Sequence, residues 1–280
     1  MRVAVIGLGA MGLPMARRLQ GAGHAVAGWD LSPDRRDAAQ GLALAEDAAR
    51  GAEAVLLSLP HDTAVLAAAE AVLAAGPAPG AVVVDCSTVS PETPRRLAPR
   101  FAEAGLAWVD APVSGGPAGA AAGTLTVMAG GSPGVLDRAR PVLEAIASKI
   151  VHVGGPGAGA VAKIVNNLLV ATHLLAAAEA LRLGRRAGVE ADALLAAVNG
   201  GSGRSAATEV NFPRWILSGS FDSGFTAGLM RKDLRLAAAL ADATGGAGPL
   251  SELVFRAWAD SPVPEAADFN HVAETVWRDG

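Results

Sequence analysis

The stretch VAVIGLGAMGLPMARRL (Val3–Leu19) decides the fold of the N-terminal half of this chain. An apolar, β-branched run leads into Gly7, Gly9 and Gly12, which have G-x-G-x-x-G spacing, and an amphipathic helical pattern follows. Glycines at this spacing allow a tight turn and a close approach of the backbone to a pyrophosphate at a helix N-terminus. The sequence therefore predicts a strand, a dinucleotide-binding loop and a helix. The loop residues expected to contact the dinucleotide are Gly7, Leu8, Gly9, Ala10, Met11 and Gly12.

An acidic residue ends the next strand of this unit. The run VAGWD finishes in Asp30, where an acid accepts hydrogen bonds from both ribose hydroxyls and repels a 2′-phosphate. Asp30 therefore favours NAD over NADP. Arg35 and Arg36 follow closely and are able to pair with a phosphate, so that NADP stays possible. The alternative interpretation is a structural glycine turn beside a solvated aspartate.

The first half of the chain alternates between apolar runs and helical Ala/Leu/Arg patterns, which is typical of a doubly wound, mainly parallel sheet. The predicted strands are Arg2–Ile6, Ala25–Trp29, Ala54–Leu59, Ala81–Asp85, Ala107–Asp110, Leu125–Ala129 and Ile150–Val153. The clearest helical stretches between them are Met11–Ala22, Thr63–Ala75 and Pro91–Ala104.

From about Gly157 onward, alanine- and leucine-rich helical patterns replace this alternation. The predicted helices are Ala160–Ala187, Ala191–Val198, Asn211–Leu217, Leu229–Ala243, Leu250–Ala259 and Ala266–Trp277. We therefore expect an α/β fold in which a Rossmann-type doubly wound sheet, residues 1–160, precedes an all-helical domain, residues 161–280. The helical domain is too small to bury all its apolar surface, which predicts a homodimer or homotetramer.

Composition argues against several classes of protein and of site. The net charge is −4 without a basic block, which argues against nucleic-acid binding. We expect no membrane span, because no apolar run of sufficient length is free of charges or Pro/Gly breaks. A single cysteine, Cys86, and a first strand without a preceding signal peptide predict a cytoplasmic protein. Five histidines without metal-ligand spacing predict no metal site, and the lack of tyrosine excludes a tyrosine general acid.

Polar residues and turns also follow two of the predicted strands. LSLP (Leu57–Pro60) and VVDCSTVSP (Val83–Pro91) lie at strand carboxyl ends, the edge at which doubly wound sheets bind ligands. They predict further cofactor contacts at Leu59, Pro60 and Thr88. The alternative for Thr88, or for its neighbour Ser87, is to cap the helix that begins at Pro91.

One lysine lies on the long helical pattern that follows residue 157. The chain contains three lysines against twenty arginines, and Lys163 is one of the three. Lysine is able to exchange a proton in a suitable environment, whereas arginine stays charged. Asn167 follows four residues later and therefore shares its helix face, where it can orient the ammonium group and a substrate oxygen. The alternative is a snorkelling lysine beside a structural amide; Asn166 is expected to point elsewhere.

A glycine-rich segment, DAPVSGGPAGAAAGTLTVMAGG (Asp110–Gly131), separates two predicted strands. Ser114, Gly115 and Gly116 form a turn whose hydroxyl and backbone N–H groups are able to converge on a carboxylate, as in an anion-binding nest. The alternative is a flexible loop without a ligand.

Together these segments resemble the β-hydroxyacid dehydrogenase family. The matching motifs are GLGAMGLPMARRL, DAPVSGGPAGAAAGTLTVMAGG, GAGAVAKIVNNLL and LMRKDLRLA, in that order, with ADFNHV (Ala267–Val272) as a looser fifth. The resemblance implies that Ser114, Gly115 and Gly116 hold the substrate, a small hydroxy acid that carries a carboxylate. It implies that Lys163 is the general acid/base, assisted by Asn167.

The same resemblance implies a cofactor role for two residues outside the glycine loop. Thr88 would contact the cofactor and Lys232 would lie at its nicotinamide end, whereas Asp233 is interpreted as structural. The implied reaction is NAD-dependent oxidation of a 3-hydroxy acid such as 3-hydroxyisobutyrate to its semialdehyde, or the reverse. Lys163 accepts the hydroxyl proton during oxidation and returns it during reduction.

Other substrates and one other class of protein stay open. Tartronate semialdehyde reductase and dehydrogenases acting on serine or threonate share the motifs, although Asp30 argues mildly against the first. 6-Phosphogluconate dehydrogenase is discounted, because this chain has Asn166–Asn167 where that enzyme has histidine–asparagine. A catalytically silent NAD-binding sensor or scaffold is the alternative from another class, and Lys163 argues against it.

The residues that enclose the substrate are not fixed by these motifs. Trp215, Phe225 and Phe269 are candidate pocket walls, although core packing explains any one of them equally well. Arg204 is a candidate partner for a substrate carboxylate or a solvent-facing residue.

Overall fold

The computed structural model describes residues 1–277 and divides the chain into two compact units. The first comprises Met1–Lys163 and the second begins at Ile164. The sequence prediction placed the domain boundary at residue 160, close to this division. Each unit has its own hydrophobic core.

The first unit contains one mixed sheet. Its strands are β1 (Arg2–Ile6), β2 (Ala25–Trp29), β3 (Ala43–Leu44), β4 (Ala54–Leu57), β5 (Val82–Asp85), β6 (Ala107–Asp110), β7 (Val113–Ser114), β8 (Leu125–Gly130) and β9 (Ala147–Gly154). The strand order is β3-β2-β1-β4-β5-β6-β8-β7, with β9 paired to β8. The first six strands of this order are parallel and have the Rossmann arrangement, whereas β8 runs antiparallel to β6 and β7. The predicted doubly wound fold is confirmed.

Helices cover both faces of this sheet. They are α1 (Gly12–Gly21), α2 (Pro33–Ala38), α3 (Asp62–Ala75), α4 (Glu92–Glu103), α5 (Gly116–Ala122) and α6 (Pro133–Ile146). On one face α1 and α6 pack against the sheet, and on the other α3 and α4 do so. Because both faces are covered, the central strands are apolar except for the terminal Asp85 and Asp110, and every residue of β4, β5 and β6 is buried.

A long helix, α7 (Ala158–Arg186), begins in the first unit and continues into the second. Length and composition alone would let it cross a membrane, with a mean hydropathy of 1.5. Such a test also selects core helices of soluble proteins, and Ala171, Leu174 and Ala178 of α7 are fully buried in the core of the second unit. The absence of a membrane span stays a prediction.

The second unit is helical, as expected. It continues with α8 (Ala191–Gly200), a π-helix (Ala207–Ile216), α9 (Ala227–Ala243), α10 (Pro249–Ala259) and α11 (His271–Trp277). Its core packs Phe212, Trp258 and Phe269 among alanine, leucine and valine side chains.

Two helix predictions in this unit were wrong in detail. The stretch predicted as an α-helix from Asn211 is a wider π-helix, and Pro213 inside it lacks the N–H that an α-helical ladder would use. The last helix starts at His271 instead of Ala266, because the Asp268 carboxylate accepts hydrogen bonds from the backbone N–H groups of Ser223 and Asn270 and holds a turn there.

Candidate functional site

The glycine loop between β1 and α1 requires glycine at two positions for different steric reasons. Gly7 has φ of 92°, and a Cβ there would lie 2.3 Å from the Ser58 carbonyl oxygen. A Cβ on Gly12 would lie 1.8 Å from the Gly7 carbonyl oxygen. Gly9 differs, because its Cβ would meet only the Arg35 guanidinium, at 3.5 Å. The missing Cβ of Gly9 therefore leaves open space beside a cation, which fits a pyrophosphate.

The start of α1 suits the same ligand. Met11 precedes the helix and makes no side-chain capping hydrogen bond, and the first turn contains no acidic residue. A helix N-terminus without a side-chain cap has backbone N–H groups and a positive dipole end for an anion. The residues present at this loop fit a nicotinamide dinucleotide.

Asp30 is buried, with 7% of its surface exposed, and its carboxylate is already hydrogen-bonded. Oδ2 accepts from the Leu8 N–H at 2.7 Å, and Oδ1 accepts from the Ser32 N–H at 2.9 Å. The alternative of a solvated aspartate is therefore wrong, since Asp30 holds the glycine loop in place. A carboxylate oxygen accepts about two hydrogen bonds, so Oδ1 keeps capacity for a ribose hydroxyl.

The two arginines after Asp30 have different environments. Arg36 donates to the carbonyl oxygens of Asp30 and Leu31, and its guanidinium lies 4.6 Å above the centre of the Trp29 ring. Arg35 is half-exposed and lies 3.4 Å from Asp30 Oδ2, beside Gly9. Of the two, Arg35 has the position that suits a phosphate, whereas Arg36 is engaged by the backbone.

The loops that follow β4 and β5 are joined by a hydrogen bond. The Leu59 N–H donates to Ser87 Oγ at 2.9 Å, and the Ser87 N–H donates to Asp85 Oδ1 at 3.0 Å. Leu59 also packs over the glycine loop, since a Cβ on Gly7 would lie 3.0 Å from Leu59 Cδ2. Pro60 is exposed and Thr88 is half-buried at this same edge.

One of the alternatives at this edge can be decided. Helix α4 starts at Glu92, whose N–H donates to Ser90 Oγ at 3.3 Å, whereas Ser87 Oγ accepts from Leu59, so that Ser87 is not the helix cap that one interpretation offered. Asp85 is fully buried, and burial raises its pKa to about 7. Cys86, next to it, is also buried, which raises the pKa of its thiol far above the usual range.

The predicted substrate turn lies between β7 and α5. Gly115 has φ of 127° and Gly116 has φ of 64°, conformations that glycine adopts far more readily than other residues. Gly115 is exposed, and Ser114 and Gly116 are half-buried. The turn is followed by helix α5, which the glycine-rich sequence does not predict.

Lys163 and Asn167 are both buried, with 9% and 4% of their surface exposed. They lie on the continuous helix α7, one turn apart, as the spacing predicted. Asn166 was expected to point elsewhere, and this was wrong: its Nδ2 donates to Asn167 Oδ1 at 2.9 Å. Asn167 is a hydrogen-bonded amide, held in one orientation.

Asp233, interpreted from the sequence as structural, makes contacts with two of the predicted site residues. Asn167 Nδ2 donates to Asp233 Oδ2, and Lys232 Nζ lies 2.8 Å from Asp233 Oδ1. Asp233 is 2% exposed and therefore connects the predicted catalytic amide with the predicted cofactor-binding lysine. An acid directly after a lysine in the LMRKDLRLA motif was the available signal.

The candidate pocket walls and Arg204 make ring contacts or face solvent. Phe225 and Phe269 contact each other edge to face, with ring centres 5.4 Å apart, and Phe269 is part of the core. Trp215 is half-buried beneath the Arg214 guanidinium, and Arg204 is exposed. Among residues 1–277, no cluster of His, Cys, Asp and Glu could hold a metal ion.

The fold and the site define a nicotinamide-dinucleotide-dependent oxidoreductase. Residues 2–154 match the family model described as the NAD binding domain of 6-phosphogluconate dehydrogenase. Residues 157–275 match that described as NAD-binding of NADP-dependent 3-hydroxyisobutyrate dehydrogenase. The chain belongs to the β-hydroxyacid dehydrogenase family, which confirms the predicted fold, cofactor and type of enzyme.

Several relatives match over most of their length. The NAD-dependent L-serine dehydrogenase of Pseudomonas aeruginosa is 42% identical over 266 residues, covering 90% of this chain and 89% of that protein. The 3-hydroxyisobutyrate dehydrogenase of the same organism is 40% identical over 264 residues, with 90% and 89% covered. The solved structure of Mycobacterium tuberculosis 3-hydroxyisobutyrate dehydrogenase with L-serine has a TM-score of 0.90, with 38% identity and 99% of both chains covered. A structure of Psf3 in complex with NADP+ and 2-OPP has a TM-score of 0.88 at 30% identity, with 98% of this chain and 99% of that chain covered.

Proposed function

We propose that this enzyme oxidises the hydroxyl-bearing carbon of a small 3-hydroxy acid, such as 3-hydroxyisobutyrate, to the semialdehyde, or catalyses the reverse reduction. The observation that carries the proposal is the buried pair of Lys163 and Asn167 on one face of α7, with the Asn167 amide held by Asp233. A buried lysine beside a fixed amide is suited to moving a proton at a defined position. The relatives named as dehydrogenases of hydroxy acids support it.

Different residues of the chain would bind the cofactor, bind the substrate and transfer the proton. The Gly7–Gly12 loop, Asp30, Leu59, Pro60, Thr88 and Lys232 would hold the cofactor, which when bound accepts or gives the hydride. Ser114, Gly115 and Gly116 would bind the substrate carboxylate through a hydroxyl and backbone N–H groups. During oxidation Lys163 Nζ takes the proton from the substrate hydroxyl, and Asn167 holds the oxygen from which that proton leaves.

L-Serine is the second candidate substrate, since it is itself a 3-hydroxy acid with an added amino group. The 42% identity to an L-serine dehydrogenase favours it, as does the L-serine bound in the structure with a TM-score of 0.90. Tartronate semialdehyde and threonate are further alternatives, and a threonate dehydrogenase of Cupriavidus necator is 40% identical over 241 residues.

The proposal is tested by measuring the activity of the wild type with each combination of substrate and cofactor, and by comparing two lysine variants with it. Initial rates of nicotinamide reduction are measured with NAD and NADP against 3-hydroxyisobutyrate, 3-hydroxypropionate, glycerate, L-serine and threonate. Lys163→Ala should lower kcat by about 10²–10⁴-fold, the usual contribution of a positioned acid/base, while the Kd for NAD stays the same. Lys149→Ala, at an exposed lysine of β9, is the matched control and should keep full activity. Turnover that survives Lys163→Ala would overturn the proposed mechanism, and NAD binding without turnover of any acid would favour a silent sensor.

We also propose that the enzyme acts in the cytoplasm as a homo-oligomer. Exposed apolar side chains on α7, among them Val165, Leu169 and Leu183, support association with a second copy. Light scattering of the purified chain distinguishes a dimer or tetramer from a monomer, and a monomer at micromolar concentration would contradict the proposal.

A further inference from the structure

The carboxyl end of β6 meets the start of α7 through one buried side chain, Asp110. Its Oδ1 accepts a hydrogen bond from the Gly157 N–H at 2.9 Å, and its Oδ2 accepts from the Ala160 N–H at 3.0 Å. Asp110 is 2% exposed. The first N–H groups of a helix have no partners within the helix, and a carboxylate is favoured there by the helix dipole. One strand-borne carboxylate thus binds the first turn of the helix that carries Lys163.

Two glycines make this contact possible. A Cβ on Gly130, at the end of β8, would lie 2.5 Å from Asp110 Oδ2 and 2.7 Å from the Gly159 nitrogen. A Cβ on Gly159, in the first turn of α7, would lie 2.3 Å from the Met128 carbonyl oxygen and 2.9 Å from Asp110 Oδ2. Side chains at either position would therefore push the carboxylate and the helix apart. We call Asp110, Gly130, Gly157, Gly159 and Ala160 the β6–α7 junction.

Along the chain, the junction is close to both parts of the predicted reaction centre in the first unit. Asp110 precedes the Ser114–Gly116 turn by four residues along the chain, and Ala160 precedes Lys163 by less than one helical turn. We propose that Asp110 is the positioning residue for Lys163, fixing its place relative to the substrate turn through the first turn of α7. The inference rests on the proposed role of Lys163 as the acid/base.

The charge state of Asp110 agrees with this role. Burial raises the pKa of Asp110 to about 6, while hydrogen bonds from the backbone N–H groups of Gly157 and Ala160 act in the opposite direction. At pH 8 the carboxylate is therefore ionised, the form that accepts both hydrogen bonds. Asp85, the residue paired with Asp110 in the register of β5 and β6, is also a buried acid.

The test uses two variants that disturb the junction in different ways. Asp110→Asn removes the charge and one acceptor while keeping the shape, and Gly130→Ala keeps the charge and displaces the carboxylate. A misplacement of about 1 Å can cost about 10²-fold in rate, so that kcat should fall about 10- to 100-fold in both variants. The assay uses L-serine or 3-hydroxyisobutyrate at pH 8, whichever is oxidised faster. The Kd for NAD should stay within about twofold, and the primary deuterium isotope effect on kcat should rise because the chemical step becomes slower.

Gly155→Ala is the matched control, since a Cβ at Gly155 meets nothing within 4 Å and the residue lies just before the junction. It should keep the wild-type kcat. The proposal is overturned if both junction variants, corrected for folded fraction, retain kcat within about twofold, or if the Kd for NAD weakens as much as kcat falls. If one variant does not fold, the other decides; failure of both to fold would show a purely structural junction. Lys163→Ala tests the proposed function separately, because its result does not depend on Asp110.

Discussion

Replacing Gly9 by alanine should separate cofactor binding from folding. The Cβ would meet only the Arg35 guanidinium, at 3.5 Å, an ordinary contact, so that the free protein should keep its Tm within about 1 °C. The same methyl group fills the space that we assign to the pyrophosphate. Loss of two hydrogen bonds to a charged phosphate, at about 1.5–3 kcal/mol each, raises the Kd for NAD by at least about 100-fold.

Thermal unfolding measures both effects in one titration. NAD at 100 times the wild-type Kd should stabilise the wild-type protein by about 2.7 kcal/mol, which raises Tm by about 5–10 °C. At the same concentration the Gly9→Ala variant should gain only about 0.4 kcal/mol, or about 1 °C. Gly12→Ala is the contrasting variant, because its Cβ would lie 1.8 Å from the Gly7 carbonyl oxygen and should lower Tm without any ligand. A Gly9→Ala protein that binds NAD within threefold of wild type, or that unfolds as early as Gly12→Ala, would refute the reasoning.

Three further perturbations have defined outcomes. Asp233→Ala should lower kcat about tenfold or more by releasing the Asn167 amide, with steady-state rates as the measurement and an unchanged kcat as the contrary result. Arg35→Ala should weaken kcat/KM with NADP about tenfold more than with NAD, whereas Arg36→Ala should not alter this ratio; equal effects would show that Arg35 does not contact a phosphate. The pKa of Asp85 is raised to about 7, so that the folded protein binds more protons than the unfolded chain between about pH 4 and 7. The free energy of unfolding therefore decreases as the pH rises through that window. Urea unfolding at pH 5 and pH 8 should show a difference, at most about 3 kcal/mol from this group, that shrinks in Asp85→Asn; an unchanged difference would contradict it.

The dinucleotide loop was predictable because its requirements are local. The spacing of Gly7, Gly9 and Gly12 reports the turn, and the apolar runs on both sides report the strand and helix. Lys163 and Asn167 were likewise predictable as a pair, because four residues are close to one helical turn. In each case the information lies within a few residues of chain.

The contacts that fix these groups could not be derived in the same way. Asp233 lies 66 residues from Asn167, and no periodicity relates the two. Asp110 reaches backbone groups about 50 residues away, through space that only the glycines at 130 and 159 leave open. A partial signal existed, since Asp110, like Asp85, ends a strand whose other residues are apolar. Which partner each acid finds depends on the order of the strands.

The reactivity of the buried Cys86 thiol can be used to measure local opening of the folded protein. Only the thiolate reacts readily with disulfide reagents, and burial both covers the sulfur and raises the pKa of the thiol. Labelling of the native protein should therefore proceed only through molecules in which the end of β5 has transiently separated from its neighbours. The labelling rate then reports the free energy of that local opening, much as amide hydrogen exchange does. Because the chain has a single cysteine, mass spectrometry can follow this process without an engineered label.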